Sequence, residues 1–156
     1  MNKTKLHILL RVTFVFYCAI LCYFLFFADY YGRSFTLLHG NYFSELFIYC
    51  KQKVNLVPFA TVFLFLKGFG RGTVELYPFA INILGNLLAF SPFGFFLPYF
   101  FKKLRKPINF LIVVSLIVCL VEILQLVFMT GVCDIDDLLL NVSGAFIVYL
   151  IVNKFM

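Results

Sequence analysis

The sequence predicts an all-α integral membrane protein with four transmembrane helices and a long outer segment of interfacial or re-entrant helices. Its 156 residues are 63% hydrophobic and 13% charged, whereas soluble domains are about 45–50% apolar and about 25% charged. Four apolar runs approach or exceed the roughly 20 residues with which a helix crosses a bilayer. We therefore predict a single membrane domain over residues 1–156.

The predicted spans cover, in order, residues 6–27, 77–101, 108–129 and 137–153. The first is interpreted as a retained signal anchor, because bulky aromatic residues continue to its end and no small-x-small cleavage site follows it. As helices, all four satisfy their backbone hydrogen bonds internally, which the hydrocarbon core requires.

The segment between the first two spans, residues 28–76, is predicted to lie on the outer side. Its apolar run "VNLVPFATVFLFL", residues 54–66, is interrupted near its start by Pro58. As a helix it would reach only about 20 Å at roughly 1.5 Å per residue, which predicts a re-entrant or interfacial segment. A second helix is predicted over "NYFSELFIYCKQK" as a rim or lid, with a solvated linker as the alternative. Its apolar face comprises Phe43, Leu46, Phe47 and Cys50.

The basic residues orient this topology through the positive-inside rule. The side of the N-terminus holds eight of them: Lys3, Lys5, Arg11, Lys102, Lys103, Arg105, Lys106 and Lys154. The opposite side holds five: Arg33, Lys51, Lys53, Lys67 and Arg71. We therefore predict a multi-pass protein with both termini in the cytoplasm.

Three of the predicted helices each carry one polar or small-residue face. On the second span this face comprises Asn82, Gly85, Asn86 and Ala89. On the third it comprises Ser115, Cys119, Glu122 and Gln125, and on the fourth Asp134, Asp137, Asn141 and Gly144. Because the third helix runs outward and the other two run inward, an outward-facing polar pocket is predicted. Its seven candidate binding residues are Asn82, Asn86, Glu122, Gln125, Asp134, Asp137 and Asn141.

Each of these faces also has a structural interpretation. An intramembrane Glu is functional by default, yet Glu122 could be protonated and bond a neighbouring Asn. Amides and small residues also hold membrane helices together. One Asp of "CDIDD" can cap the last helix, but three exceed that need. The sequence leaves binding and packing open at these positions.

Metal binding and catalysis are minority interpretations of the acidic turn. Asp134, Asp136 and Asp137 offer oxygen ligands for Ca²⁺ or Mg²⁺, but their spacing matches no EF-hand loop. A carboxylate pair can also act as general acid and base, although no nucleophile motif or metal-binding His pair accompanies it. We expect no cofactor. Nucleic acid is not an expected partner, because the net charge of +6 is divided across the membrane.

The five cysteines do not predict a disulfide framework. Cys18, Cys22 and Cys119 lie in predicted spans, where Cys behaves as a small apolar residue. Cys50 and Cys133 are both expected outside and could pair there, but free thiols are predicted.

Successive blocks of the sequence resemble the VanZ-like family in the family's order: "NLVPF" (55–59), "NILGNLLAFSPFGFFLP" (82–98), Ser115, "EILQ" (122–125) and "DIDDLLLNVSG" (134–144). VanZ-like proteins are small, multi-spanning bacterial membrane proteins, and the founding member reduces susceptibility to the glycopeptide antibiotic teicoplanin. The resemblance implies these motif positions: Asn55, Pro58, Asn82, Asn86, Pro92, Gly94, Glu122, Gln125, Asp134, Asp137, Asn141 and Gly144. The chain departs from many relatives by carrying "GVC" where they have an Arg before the acidic block, and residues 1–53 match only in being hydrophobic.

The resemblance and the polar pocket together favour a protein of the bacterial cell membrane that binds or modulates an envelope component and is linked to reduced teicoplanin susceptibility. The expected partners are membrane lipids and a lipid-linked envelope precursor or lipophilic glycopeptide. The alternative is an envelope-lipid enzyme or transporter that uses Glu122 and the Asp cluster. A purely structural role of these polar residues is the third interpretation.

Overall fold

The computed structural model describes residues 2–28, 41–72 and 76–155. Its helices are α1 (Lys3–Phe26), α2 (Tyr42–Lys53), α3 (Ala60–Gly70), α4 (Leu76–Ala89), α5 (Phe93–Phe100), α6 (Pro107–Val127) and α7 (Ile135–Asn153). Two short strands, β1 (Val54–Asn55) and β2 (Cys133–Asp134), pair in parallel, and a 3₁₀ turn covers Lys102–Arg105. The predicted outer residues at 29–40 and 73–75, Arg33 among them, lie outside the described residues.

Four helical segments of the described chain are long and apolar enough to cross a membrane: Lys3–Phe26, Ala80–Phe100, Pro107–Val127 and Ile135–Asn153. This confirms the predicted all-α membrane fold with four spans. The run that was predicted to be re-entrant or interfacial forms β1 and the short helix α3, and Pro58 lies in the turn that precedes α3.

The second span is broken in its middle, where the sequence predicted one continuous helix. α4 ends at Ala89 and α5 begins at Phe93, because Pro92 lacks a backbone N–H and its ring clashes with the preceding turn of a helix. Within the break, the Ser91 N–H donates to the Leu88 carbonyl at 3.2 Å. Short turns of this kind keep backbone polar groups bonded within the chain, as a membrane requires.

α7 is the central helix of the bundle and packs against α4, α5 and α6. Its Ala145 and Tyr149 join Phe110, Val114 and Val118 of α6 in the buried core. The rings of Phe110 and Tyr149 stack with their centroids 4.4 Å apart. Since lipid is as apolar as these side chains, close packing is what holds such helices together.

Two glycines allow this close packing on α7. A Cβ atom on Gly144 would lie 1.7 Å from the carbonyl oxygen of Leu87 on α4. A Cβ atom on Gly94 of α5 would lie 2.3 Å from the Ala145 carbonyl oxygen. Gly85, which is predicted on the polar face of the second span, is instead exposed, and no described atom lies within 4 Å of its Cβ position. Both Gly144 and Gly94 are therefore helix-contact residues, in the manner of small residues at membrane helix interfaces.

α1 lies at the periphery of the bundle and has no buried residue. Its Phe14 ring packs edge-on against Phe93 of α5 with centroids 5.6 Å apart. The Tyr17 hydroxyl donates to the Ala89 carbonyl at the break in the second span. Aromatic side chains thus attach the first span to α5 and to the break before it.

The two ends of the bundle differ in their charged residues: one holds a basic cluster, and the other gathers three aspartates beside the lysines of α2 and α3. The basic end contains residues 102–106, and there the Tyr149 hydroxyl donates to the Arg105 carbonyl at 2.6 Å. The His7 ring lies at the same end, with its Nδ1 3.0 Å from the Tyr99 hydroxyl. The acidic end contains residues 134–137 together with α2, α3 and both strands.

The polar stripe predicted on the third span differs from the face that α6 buries. Glu122 and Gln125 are buried, but Cys119 is exposed and Ser115 is half-buried. The buried face continues through Val118 instead, because packing against α7 sets the rotation of the helix. The prediction for this helix is therefore wrong at Cys119.

Candidate functional site

A cavity of about 570 Å³ lies at the acidic end of the bundle, between α2, α4, α6 and α7. All seven side chains that the sequence predicted to converge line it: Asn82, Asn86, Glu122, Gln125, Asp134, Asp137 and Asn141. Other polar groups come from Tyr49, Lys53, Thr61 and Thr130, and an apolar wall from Leu25, Phe90 and Val121. The side chains share one cavity, whereas their role in binding stays a prediction.

Asp134 begins α7 and connects it to the outer segment. Its Oδ1 accepts the Asp136 N–H at 2.9 Å, so it caps the helix as predicted for one Asp of this turn. Its Oδ2 accepts the Asn55 side-chain amide at 3.2 Å and the Thr61 hydroxyl. These bonds hold the carboxylate at the edge of the cavity.

Asp136, unlike Asp134 and Asp137, bonds the start of α3 and does not line the cavity. It is 2% exposed, and its two carboxylate oxygens accept the backbone N–H groups of Phe59, Thr61 and Val62. The first turn of a helix leaves such N–H groups without intrahelical partners, so Asp136 caps α3 from another part of the chain. The same contact holds Phe59, whose φ of 63° is in the left-handed region. Asp136 does not line the cavity, which agrees with its predicted position off the shared face.

Polar side chains from three helices join the walls of the cavity. The Asn86 side-chain amide donates to Asp137 Oδ1 and so connects α4 to α7. The Gln125 side-chain amide donates to the Leu25 carbonyl at 3.0 Å and so connects α6 to α1. Glu122 of α6 is only 6% exposed. The cavity therefore carries a carboxyl group well inside the protein.

Asn141 contributes a hydrogen-bond acceptor to which no described residue donates. The residue is 3% exposed and lines the cavity. Its Oδ1 is buried and accepts no hydrogen bond from the described part of the chain. A buried acceptor without a donor costs about 1–3 kcal/mol. A donor group placed in the cavity beside this atom would remove that cost.

α2 supplies cavity residues that the sequence did not predict. The Tyr49 hydroxyl donates to the Gly131 carbonyl and the Tyr42 hydroxyl to the Val127 carbonyl, both at 2.7 Å. These bonds fasten α2 beside the end of α6 and bring Tyr49 and Lys53 to the cavity. The i, i+7 spacing of the two tyrosines, which places them on one helical face, is the signal that could have shown this.

The apolar face predicted for α2 is divided in the structure. Leu46 and Cys50 are half-buried, as are the two tyrosines that bond the protein. Phe43 is 77% exposed and Phe47 is 61% exposed. Because the tyrosine hydroxyls fix the rotation of the helix, these two rings face away from the bundle.

Cys133 of β2 is half-buried near the cavity. Burial raises the pKa of its thiol, and the charge of Glu122 raises it further. All five cysteines are free thiols, as predicted. Among the described residues, no three His, Cys, Asp or Glu side chains are grouped so that they could hold a metal ion. Asp134 and Asp136, two of the weak metal candidates, use their carboxylates to accept protein hydrogen bonds.

Comparison with known proteins gives one match. The model of the VanZ/LLP1 family matches residues 14–156, which include every residue of the cavity. No curated protein and no solved structure matches the chain significantly.

Proposed function

Because the chain belongs to the VanZ/LLP1 family, we propose that it binds a lipid-linked or lipophilic component of the cell envelope and so lowers susceptibility to teicoplanin. The observation that carries the proposal is that the amides and carboxylates of α4, α6 and α7 converge on one shared cavity of about 570 Å³. Pockets for small ligands span about 300–1,000 Å³. The teicoplanin link itself comes from the resemblance of the sequence blocks described above.

The two kinds of cavity wall support an amphipathic ligand. Leu25, Phe90 and Val121 offer apolar surface, while Glu122 and Asn141 offer buried polar atoms. A buried polar group costs free energy unless it is hydrogen-bonded, so polar atoms on the cavity wall favour a ligand that pairs with them. A molecule with a polar head and an apolar tail uses both walls, which a small soluble metabolite does not.

The proposed orientation places the acidic end outside the cell. The basic cluster at residues 102–106 lies at the opposite end of the bundle, where the positive-inside rule expects the cytoplasm. The cavity then lies at the level of the outer leaflet. Lipid-linked envelope molecules and lipophilic glycopeptides are anchored in that leaflet, so both can reach the cavity without crossing the membrane.

Paired susceptibility testing examines this proposal. Strains express wild-type protein, Glu122→Gln or Asp137→Asn at membrane levels matched by immunoblot. Glu45→Gln is the matched control, because Glu45 lies on α2 and does not line the cavity. We expect wild type and the control to raise the inhibitory concentration of teicoplanin and the two cavity variants to lose most of the increase. Vancomycin should be affected less, because it lacks the acyl chain that anchors teicoplanin in the membrane.

Two results contradict the proposal. Equal changes for teicoplanin and vancomycin, or no change for either, exclude a role that depends on the lipophilic part of the antibiotic.

The second candidate function is an envelope-lipid enzyme or transporter, which the burial of Glu122 inside the cavity favours. Turnover or movement of radiolabelled envelope lipids by purified protein, abolished in Glu122→Gln but not in Glu45→Gln, would favour that candidate instead.

A further inference from the structure

The buried polar atoms of the cavity call for a ligand that donates hydrogen bonds. Asn141 Oδ1 is buried on the cavity wall and accepts nothing from the described residues. The Glu122 side chain, also buried, adds carboxyl oxygens on the facing helix α6. Ionised carboxylates and amide oxygens only accept hydrogen bonds. A phosphate placed beside them would bring more acceptors and more negative charge.

The positively charged side chain of the described lining, Lys53, lies away from these acceptors. Lys53 lines the cavity from the end of α2, and it is exposed, unlike Glu122 and Asn141. In the described lining, Glu122 and Asn141 therefore lie inside and Lys53 lies at the exposed rim. The Asp134 carboxylate at the edge already accepts hydrogen bonds from other residues of the protein. A ligand that complements this arrangement has a cationic donor at its inner end and an anionic group at its outer end.

We propose that the cavity takes the zwitterionic headgroup of a phospholipid with a primary ammonium, the ammonium lying beside Glu122 and Asn141 and the phosphate beside Lys53. An ammonium has three N–H donors, which suit the acceptors inside the cavity. Its positive charge also offsets the cost of burying a carboxylate. This deepens the function proposed above and rests on it only in taking the same cavity as the binding site.

The proposal separates three headgroups that share a phosphodiester. Phosphatidylethanolamine carries the required ammonium. Phosphatidylcholine has the same charges but no N–H donor, so it leaves Asn141 Oδ1 unsatisfied. Phosphatidylglycerol has hydroxyl donors but a net negative charge, which the carboxyl groups of the cavity disfavour.

Native mass spectrometry of the purified protein with these three lipids, matched in their acyl chains, tests the proposal. We expect wild type to prefer the ethanolamine lipid over each of the others by about tenfold, the ratio that one charge-assisted hydrogen bond provides. Asn141→Leu and Glu122→Gln should abolish the preference. Lys53→Gln should weaken ethanolamine-lipid binding, while Lys51→Gln, an exposed lysine of the same helix outside the cavity, should not.

Some results of the lipid-binding and competition experiments would overturn the proposal. Equal binding of the ethanolamine and choline lipids, or a preference for phosphatidylglycerol, excludes recognition of the ammonium. Soluble phosphoethanolamine should compete and phosphocholine should not, so a failure of phosphoethanolamine to compete excludes headgroup recognition. If the buried variants do not fold, the comparison of Lys53→Gln with Lys51→Gln still tests the phosphate position, because both lysines are exposed. The lipid preference of wild type and the competition by phosphoethanolamine then test the ammonium.

Failure of this inference is distinguishable from failure of the proposed function. If the lipid preference is absent while teicoplanin susceptibility still depends on Glu122, only the headgroup assignment is wrong. If the preference is present and depends on Glu122 while susceptibility does not change, the headgroup assignment stands and the link to teicoplanin is wrong.

Discussion

Asn55 and Asp134 lie opposite each other in a two-residue parallel pairing, and the Asn55 side-chain amide donates to Asp134 Oδ2 at 3.2 Å. This contact joins the outer segment to the first turn of α7. Asn55 Oδ1 in turn accepts the Val57 N–H at 3.2 Å, which shapes the turn toward α3. The loop and the last span are therefore fixed to each other at the edge of the cavity.

The first prediction concerns this pair. Asp134→Ala should lower the free energy of unfolding by about 1–2 kcal/mol, because it removes a helix cap and the acceptor of the Asn55 amide. Thermal unfolding of the purified protein in detergent measures the loss. A double-mutant cycle with Asn55→Ala should give a coupling energy of about 0.5–1.5 kcal/mol. Strictly additive effects of the two substitutions would show that the contact contributes nothing to stability.

The second prediction concerns the cap that Asp136 provides for α3. Asp136→Ala should speed backbone hydrogen exchange at Phe59, Thr61 and Val62, because it removes the oxygens that accept these three N–H groups. Asp136→Asn should have an intermediate effect, since it keeps one oxygen. We expect the alanine variant to lose about 2 kcal/mol or more of local stability. Unchanged exchange at these amides in both variants would contradict the capping role.

The third prediction compares two glycines. Gly144→Ala should prevent normal packing of α4 on α7, because the new Cβ atom would lie 1.7 Å from the Leu87 carbonyl oxygen. We expect a loss of about 3 kcal/mol or more, or no monodisperse protein in size-exclusion chromatography. Gly85→Ala is the matched control and should be neutral or stabilising by about 0.5–1 kcal/mol, since no described atom lies within 4 Å of its Cβ position. Similar behaviour of the two variants would disprove the close contact.

The fourth prediction concerns the thiol of Cys133. Its raised pKa leaves less of the reactive thiolate at a given pH, so alkylation should keep accelerating at pH values where an exposed thiol has already reached its maximal rate. The measurement uses iodoacetamide on a variant in which Cys133 is the only cysteine. Glu122→Gln removes one cause of the raised pKa of Cys133, so the rise of the alkylation rate with pH should move toward lower pH. The same movement in the Glu45→Gln control would mean that Glu122 is not the source.

The fifth prediction concerns orientation. A membrane-impermeant maleimide should label Val132→Cys but not Lys102→Cys in intact cells, in a background without other cysteines. Both positions are exposed, and they lie at opposite ends of the bundle. Permeabilised cells should label both and so control for reactivity. Labelling of Lys102→Cys alone in intact cells would invert the topology and place the cavity on the cytoplasmic side.

The spans were predictable because each is a long apolar run, and periodicity identified part of their inner faces. Glu122 and Gln125 are buried on α6 as the polar stripe suggested, and Asn86 and Asp137 meet across α4 and α7. Cys119 is exposed instead of buried beside them. The rotation of the helix is set by which side chains pack best on α7 rather than by polarity. Whether the cavity binds a ligand stays a prediction.

The contacts that organise the acidic end were not predictable from the sequence. Asp136 caps α3, and Asp134 bonds Asn55, across more than seventy intervening positions of the chain. Such pairs leave no periodic pattern, since each depends on one local turn meeting another. The positions of Tyr49 and Lys53 likewise follow from how α2 is fastened, which hydrophobic patterning alone does not specify.

The central place of α7 also sets the order of assembly. α7 comes after α4, α5 and α6 in the chain, but all three of those helices pack against it. During synthesis the earlier spans therefore enter the bilayer before their common partner exists. The hydrogen bond from Asn86 to Asp137 and the close contact between the Leu87 backbone and Gly144 can form only after α7 has been synthesised. Closure of the bundle, and of the cavity with it, is consequently a late event that follows insertion of the preceding spans.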